Sequence, residues 1–256
     1  MYFTLPIRLS YSGSWAFDAL TEPFRSFRKI NLQPSTLNTP HTIALWGGVS
    51  SHFNRSGCVM LLTQDSSQLV LLDYQPKLLS GIAEVSGIVK NATILATLAK
   101  KMHLPVFATE HVPDKLGAFD AALSGFCKAK LRTTHFSACA DGLLDLLSPK
   151  QVAGNARSLP KHLQKTQPQN ERLSVVVAGV EAHVSVLQTA LDLLDHDFDV
   201  WVVTDACASR SERNRDAAFD RLAGNGAELV STEMVVFEWL ESSESEFFKF
   251  SLDLIK

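Results

Sequence analysis

The chain has 256 residues, 46% hydrophobic and 20% charged, with a formal net charge of -3, which is enough apolar material for one substantial core and far from the composition of disordered chains. Charges of both signs are interspersed without a basic stripe to neutralise phosphates, so no nucleic-acid partner is expected. The four cysteines, Cys58, Cys127, Cys139 and Cys207, lie far apart with no CxxC spacing, which argues against a zinc site or a disulfide framework and for a reducing, cytoplasmic compartment.

Residues 1–57 are expected to be an irregular extension, because Pro23, Pro34, Pro40, Gly47 and Gly48 interrupt any period there. The opening MYFTLPIRLSYSGSW lacks the long apolar core and cleavage site of a secretory signal, and Asp18, Glu22 and the prolines count against a transit peptide. No apolar run reaches the roughly 20 residues that span a bilayer, so no membrane partner is expected.

A domain is expected over 58–256. QLVLLDYQ reads as a buried strand, GIVKNATILATLAKKMHL as a helix and PVFATEH as a second strand, which together make a βαβ unit. HFSACADGLLDLL reads as a strand end and a short helix, and the stretch from about Ser148 to Asn170, with Pro149, Gly154, Pro160 and Pro168, as an exposed loop. LSVVVAGVEAH follows as a buried strand, SVLQTALDLLDH as an amphipathic helix and DVWVVTDAC as a strand. NRDAAFDRLAGNGAELVSTEM gives a helix stopped by Gly224 and Gly226, then a last strand. Strands with almost no polar alternation, separated by helices, imply an α/β fold: a three-layer, doubly wound, mostly parallel sheet with helices on both faces.

In such sheets ligands bind beyond the carboxyl ends of the strands. That rule selects Asp73, Glu110 and His111, the segment 133–137, Glu181 to Ser185, and Asp205. No G-x-G-x-x-G or P-loop occurs at these turns, so neither a dinucleotide nor ATP is expected as cofactor.

The strings LLDYQPKLL, ATEHVPDKLG, THFSACADGLLDLL, AGVEAHVSVLQTALDLL and VWVVTDACASRSERNRDAAFDRLAGNGAELVSTEMVVFEWL, in this order over about residues 60–256, resemble a bacterial branch of the isochorismatase-like cysteine hydrolases. The resemblance implies a Rossmann-like fold, a homo-oligomer, and cleavage of an amide or vinyl-ether bond in a small molecule. Residues 1–57 have no counterpart in that pattern, and Met60 stands where such proteins usually begin, so an upstream-extended reading frame is expected.

The family's hydrolases use an Asp, a Lys and a Cys. Matched by motif, the Asp is Asp73, which as a strand-end carboxylate could equally cap the following turn. The Lys position, three residues before the Phe of F-S-A, holds Thr133; Lys130 and Arg132 point to the opposite side of an extended segment. The Cys position holds Ser185. A thiol beside a cation and a base ionises readily, whereas a serine hydroxyl depends on a well-placed base, and Ser185 could simply open the helix behind it. The resemblance further implies oxyanion donors at the backbone N–H groups of Glu181 and Ser185, with a cis peptide between Val180 and Glu181. Glu110 and His183 are expected at the pocket, with Glu110 alternatively a surface carboxylate and His183 an orienting or packed residue. Nicotinamidase-type members hold a metal with an Asp and two His in one short segment; that cluster is missing here, so no metal is expected. Asp205 reads as a loop cap, and SRSERNRD as a solvated helix start from which Arg210 or Arg213 could reach an acidic ligand or a neighbouring subunit.

Two functions stand open: a hydrolase with Ser185 as nucleophile and Asp73 as base, or an inactive relative that binds a small carbonyl ligand or serves as an oligomer partner. A redox protein acting through Cys139 or Cys207 is a third, set against the usual packing role of buried cysteines.

Overall fold

The computed structural model describes residues 61–148 and 172–256. The expected extension over 1–57, its boundary, and nearly all of the expected loop after Ser148 lie outside the described residues.

Strand β1 (Ser67–Leu72) is buried along its whole length. It runs through a four-residue helix, α1 (Pro76–Leu79), into α2 (Val85–Lys101) and back to β2 (Val106–His111). Two short helices, α3 (Pro113–Leu116) and α4 (Ala121–Ser124), lead to β3 (Ala129–Thr133). A 3-10 turn at Ala138–Asp141 and helix α5 (Leu143–Leu147) follow. After the undescribed segment come β4 (Ser174–Gly179), α6 (Leu187–Asp195) and β5 (Asp199–Val203). Helix α7 (Glu212–Gly224) and β6 (Glu228–Val230) complete the sheet, and α8 (Thr232–Leu240) and α9 (Phe248–Ile255) close the chain.

The sheet has the order β3-β2-β1-β4-β5-β6, and every pairing is parallel. This is the expected α/β architecture. Side chains alternate between the two faces, as the period of a strand dictates. Leu69, Leu71, Val176, Ala178 and Trp201 pack on one face with residues of α2 and α8, while Val70, Leu72, Val175, Val177 and Val200 pack on the other with α5, α6 and α7. Helix α6 forms because Leu187, Ala190 and Leu193 fall on one side of it and are buried there.

Two departures from the sequence reading have local causes. The third strand is AKLRT, upstream of the F-S-A string, and its alternate residues Lys130 and Arg132 are exposed, the mark of an edge strand. The last strand is only three residues long, because Ser231 caps α8 by accepting from Met234 N at 3.3 Å.

The strand order reverses between β1 and β4, so the loops after these two strands diverge and leave a crevice at their carboxyl ends. The register places Leu72 beside Gly179. A Cβ on Gly179 would stand 2.7 Å from Leu72 Cβ and 2.8 Å from Val186 Cγ2. Only glycine lets the tip of β4 and the start of α6 approach β1 this closely.

Candidate active site

Asp73 follows β1 directly, in the left-handed region at φ 56°. Its main-chain N–H donates to Thr109 Oγ1 at 3.2 Å, and that hydroxyl donates to Asp73 Oδ1 at 2.5 Å. Thr109 on β2 thereby fixes both the backbone and the carboxyl of a residue that is 4% exposed. Burial pushes the Asp73 carboxyl above its ordinary value; the hydrogen bond from Thr109, the neighbouring Ser185 hydroxyl and the field of His111 oppose the rise without cancelling it.

Across the crevice the chain turns at Glu181, also left-handed at φ 59°, and makes a single π-type turn, Ala182–Val186, before α6. The cis peptide expected between Val180 and Glu181 is absent: all peptide bonds among the described residues are trans, and the left-handed Glu181 makes the reversal instead. Ala182 N donates to Ala208 O at 2.7 Å and Val184 N to Glu181 O at 2.8 Å, which ties the turn to the chain after β5. Ser185 is 7% exposed. Its hydroxyl donates to Val180 O at 3.1 Å and also interacts with the Asp73 carboxyl. Asp73 and Ser185 thus come to one cavity.

Both line a cavity of about 370 Å³ whose wall also includes Lys77, His111, Phe136, Glu181 and Arg210. A larger depression, about 500 Å³, lies among Lys100, His103, Gly125 and Arg172. It faces the amino end of β2, away from the strand tips, and brings together no acid and hydroxyl; the smaller cavity is the site.

Thr133 is buried behind the cavity wall, with Oγ1 3.3 Å from His111 Nδ1. Neither nearby cation replaces the missing lysine. Lys130 Nζ reaches Ser124 Oγ at 3.1 Å and Glu110 at 3.7 Å, and Arg132 pairs with Asp114 at 2.8 Å. The expectation that Glu110 lines the pocket is corrected: its carboxylate accepts from Phe119 N at 3.0 Å and pairs with Lys130, while His111, the next residue on the strand and so on the opposite face, takes the cavity. His183 is likewise absent from the wall. Its Nδ1 lies 3.0 Å from Ser209 Oγ and 3.4 Å from Glu181 Oε2, so it steadies Glu181. Asp205 caps α8, accepting from Thr232 N at 2.8 Å.

Sequence reasoning missed Lys77 and left Arg210 undecided. Lys77 sits on α1 two residues after Gln75, whose side chain holds the tip of β2 by accepting from His111 N at 2.8 Å and donating to His111 O at 3.0 Å. The Arg210 stem packs on Gly81, and its Nε stands 2.7 Å from Glu181 Oε1. That approach is an ion pair without hydrogen-bond geometry, leaving the buried Glu181 oxygens with no hydrogen-bond partner among the described residues. No group of three or more His, Cys, Asp or Glu among the described residues is arranged to hold a metal ion. None of their helices is long and apolar enough to cross a membrane.

A doubly wound parallel sheet with an acid and a hydroxyl on one cavity at its switch point defines an α/β protein with a small-molecule site where this class carries one. Residues 67–234 match the isochorismatase domain, and the chain belongs to the isochorismatase family. It is 34% identical over 188 residues to isochorismatase domain-containing protein 2 of Xenopus laevis, covering 73% of this chain and 82% of that protein. The structure of the Caenorhabditis elegans protein described as MAR1 ribonuclease superposes with a TM-score of 0.65 at 28% identity, over 77% of this chain and 92% of that one. The Escherichia coli YcaC gene product, described as an octameric hydrolase of unknown specificity, shares the fold with a TM-score of 0.65 at 23% identity, over 78% and 91%. The vertebrate relative has the higher identity, so these similarities do not single out a bacterial branch.

Proposed function

We propose that this protein hydrolyses a small amide or a related C–N or C–O bond through Ser185 and Asp73. The observation that carries this reading is the meeting of these two side chains in one cavity. Ser185 Oγ adds to the substrate carbonyl carbon as its proton passes to Asp73; the C–N bond breaks, that proton leaves on the amine, and water hydrolyses the acyl-serine. In this reading the N–H groups of Glu181 and Ser185 donate to the developing oxyanion. Thr133 supplies no charge, and Phe136 and Val184 give the substrate an apolar wall. Cytoplasmic location and assembly into a homo-oligomer belong to the same proposal; the octamer described for YcaC supports the second. An RNA substrate is disfavoured, because Arg210 is already paired with Glu181 and Lys77 donates to Lys115 O.

A second reading, an inactive relative that binds a small carbonyl ligand, is favoured by the Ser185 hydroxyl donating to Val180 O in the resting site. A panel of small amides separates the two, assayed with the wild type, Ser185→Ala, Asp73→Asn, and Ser185→Cys and Thr133→Lys singly and together. Turnover by the wild type that Ser185→Ala and Asp73→Asn abolish supports the hydrolase. Turnover only in the Ser185→Cys/Thr133→Lys double variant supports the inactive relative.

A further inference from the structure

We propose that His111, rather than the cavity-wall cations Lys77 and Arg210, acts on Asp73 in place of the cation absent at Thr133, and that it works as a positioning residue for that carboxyl. The inference rests on the hydrolase reading above. Its basis is a substitution of place. His111 and Thr133 are register partners at the carboxyl ends of β2 and β3, so the residue standing at the family lysine position touches the imidazole directly, Oγ1 to Nδ1 at 3.3 Å. Thr133 is buried and His111 is on the cavity wall. The ring also packs against Phe136, with centroids 5.5 Å apart, and its main chain is held at both N–H and C=O by Gln75. A ring fixed at one nitrogen beside a buried carboxyl is placed to carry charge toward that carboxyl.

The other charges around the pair are accounted for. Lys77 comes from α1, and Glu181 and Arg210, paired with each other, from the turns after β4 and β5. On the β3 side, Lys130 is held by Glu110, Arg132 by Asp114, and His135 by Asp141. The His111 field lowers the proton affinity of Asp73 against the rise caused by burial, so charge on the imidazole favours the ionised form of the base.

Acetylation of Ser185 by p-nitrophenyl acetate tests this, because p-nitrophenolate leaves without needing a proton and the rate reports the base step alone. Rates are followed by peptide mapping from about pH 4 to 9, a range that covers carboxylate and imidazole titration. We expect the acid limb to move up by about 1 pH unit in His111→Gln, and to return toward the wild-type position in His111→Gln/Thr133→Lys, where the cation is restored from the neighbouring strand. A packing role would lower the rate without moving the limb, and a lysine at 133 would not repair it. An unmoved limb in His111→Gln, or no return in the double variant, overturns the inference and leaves the hydrolase reading standing. No acetylation of Ser185 in the wild type at any pH overturns both.

Discussion

Arg210 Nε stands 2.7 Å from Glu181 Oε1, so the residue that reverses the chain after β4 is bound to the loop after β5 beside the cavity. The pair is lopsided: Glu181 is 6% exposed, whereas the Arg210 side chain is 67% exposed. Removing the arginine leaves a buried carboxylate whose one remaining ion-pair partner among the described residues is His183. Arg210→Ala should therefore destabilise the fold by about 1–2 kcal/mol, below the full cost of breaking a buried pair because water already screens the guanidinium. Adding Glu181→Gln to that variant should recover part of the loss, as urea unfolding midpoints of the single and double variants will show.

Gly179→Ala is expected to be costly for a different reason. The added methyl meets Leu72 Cβ at 2.7 Å, Val186 Cγ2 at 2.8 Å and Leu72 O at 2.9 Å, and a strand tip cannot move from its neighbour without opening the site. Overpacking of this kind costs about 1–3 kcal/mol. Gly87→Ala is the control: nothing lies within 4 Å of its Cβ on the exposed first turn of α2, so it should stabilise by about 0.5 kcal/mol. Equal effects of the two changes would contradict this picture of the strand crossing.

Asp73 and Ser185 were legible in the sequence because each directly follows or opens an element whose period is unambiguous, and the motifs fix them to the residue. The wall between them was not. Lys77 and Arg210 arrive on flexible stems from α1 and from the loop before α7, and no periodicity says where a long side chain ends. Glu110 was left between pocket wall and surface carboxylate although the alternation of VFATEH already puts it on the face opposite His111. The segment TEMVVFEWL is apolar on nearly every side, and such a run does not distinguish a strand from a buried helix. The trans turn at Glu181 departs from a conformation the family resemblance implied, and only the backbone itself reveals it.

The redox reading makes a prediction that the thiol environments oppose. Burial raises Cys207 to about 12 and Cys139 to about 11, and Cys127 to about 11 despite the field of Lys130. None of the three lines the site cavity. The thiolate is the reactive form, so iodoacetamide at neutral pH should modify these cysteines at least about tenfold more slowly than a free thiol with the ordinary value near 8.5. Peptide mapping after timed alkylation reads each one separately, and rapid labelling of Cys139 or Cys207 would reopen that reading.

Asp73→Asn should separate stability from activity through its pH dependence. Because burial holds the Asp73 carboxyl above 3.8, the folded chain binds that proton more tightly than the unfolded chain does. The stability this contributes is fully present below the unfolded value and is lost as pH rises through the higher folded value. Asparagine cannot ionise, and its amide oxygen still accepts from Thr109. The stability of Asp73→Asn relative to the wild type should therefore climb as pH rises from about 4, the unfolded carboxylate range, and level off once the wild-type carboxyl is ionised in the folded state. Urea unfolding of both proteins across this range measures the difference, and the titrations common to the two cancel. The same substitution abolishes Ser185 acylation if Asp73 is the base. A gain in stability at neutral pH joined to a loss of turnover is what a buried acid kept for chemistry must give; a pH-independent difference would mean that burial does not perturb this carboxyl.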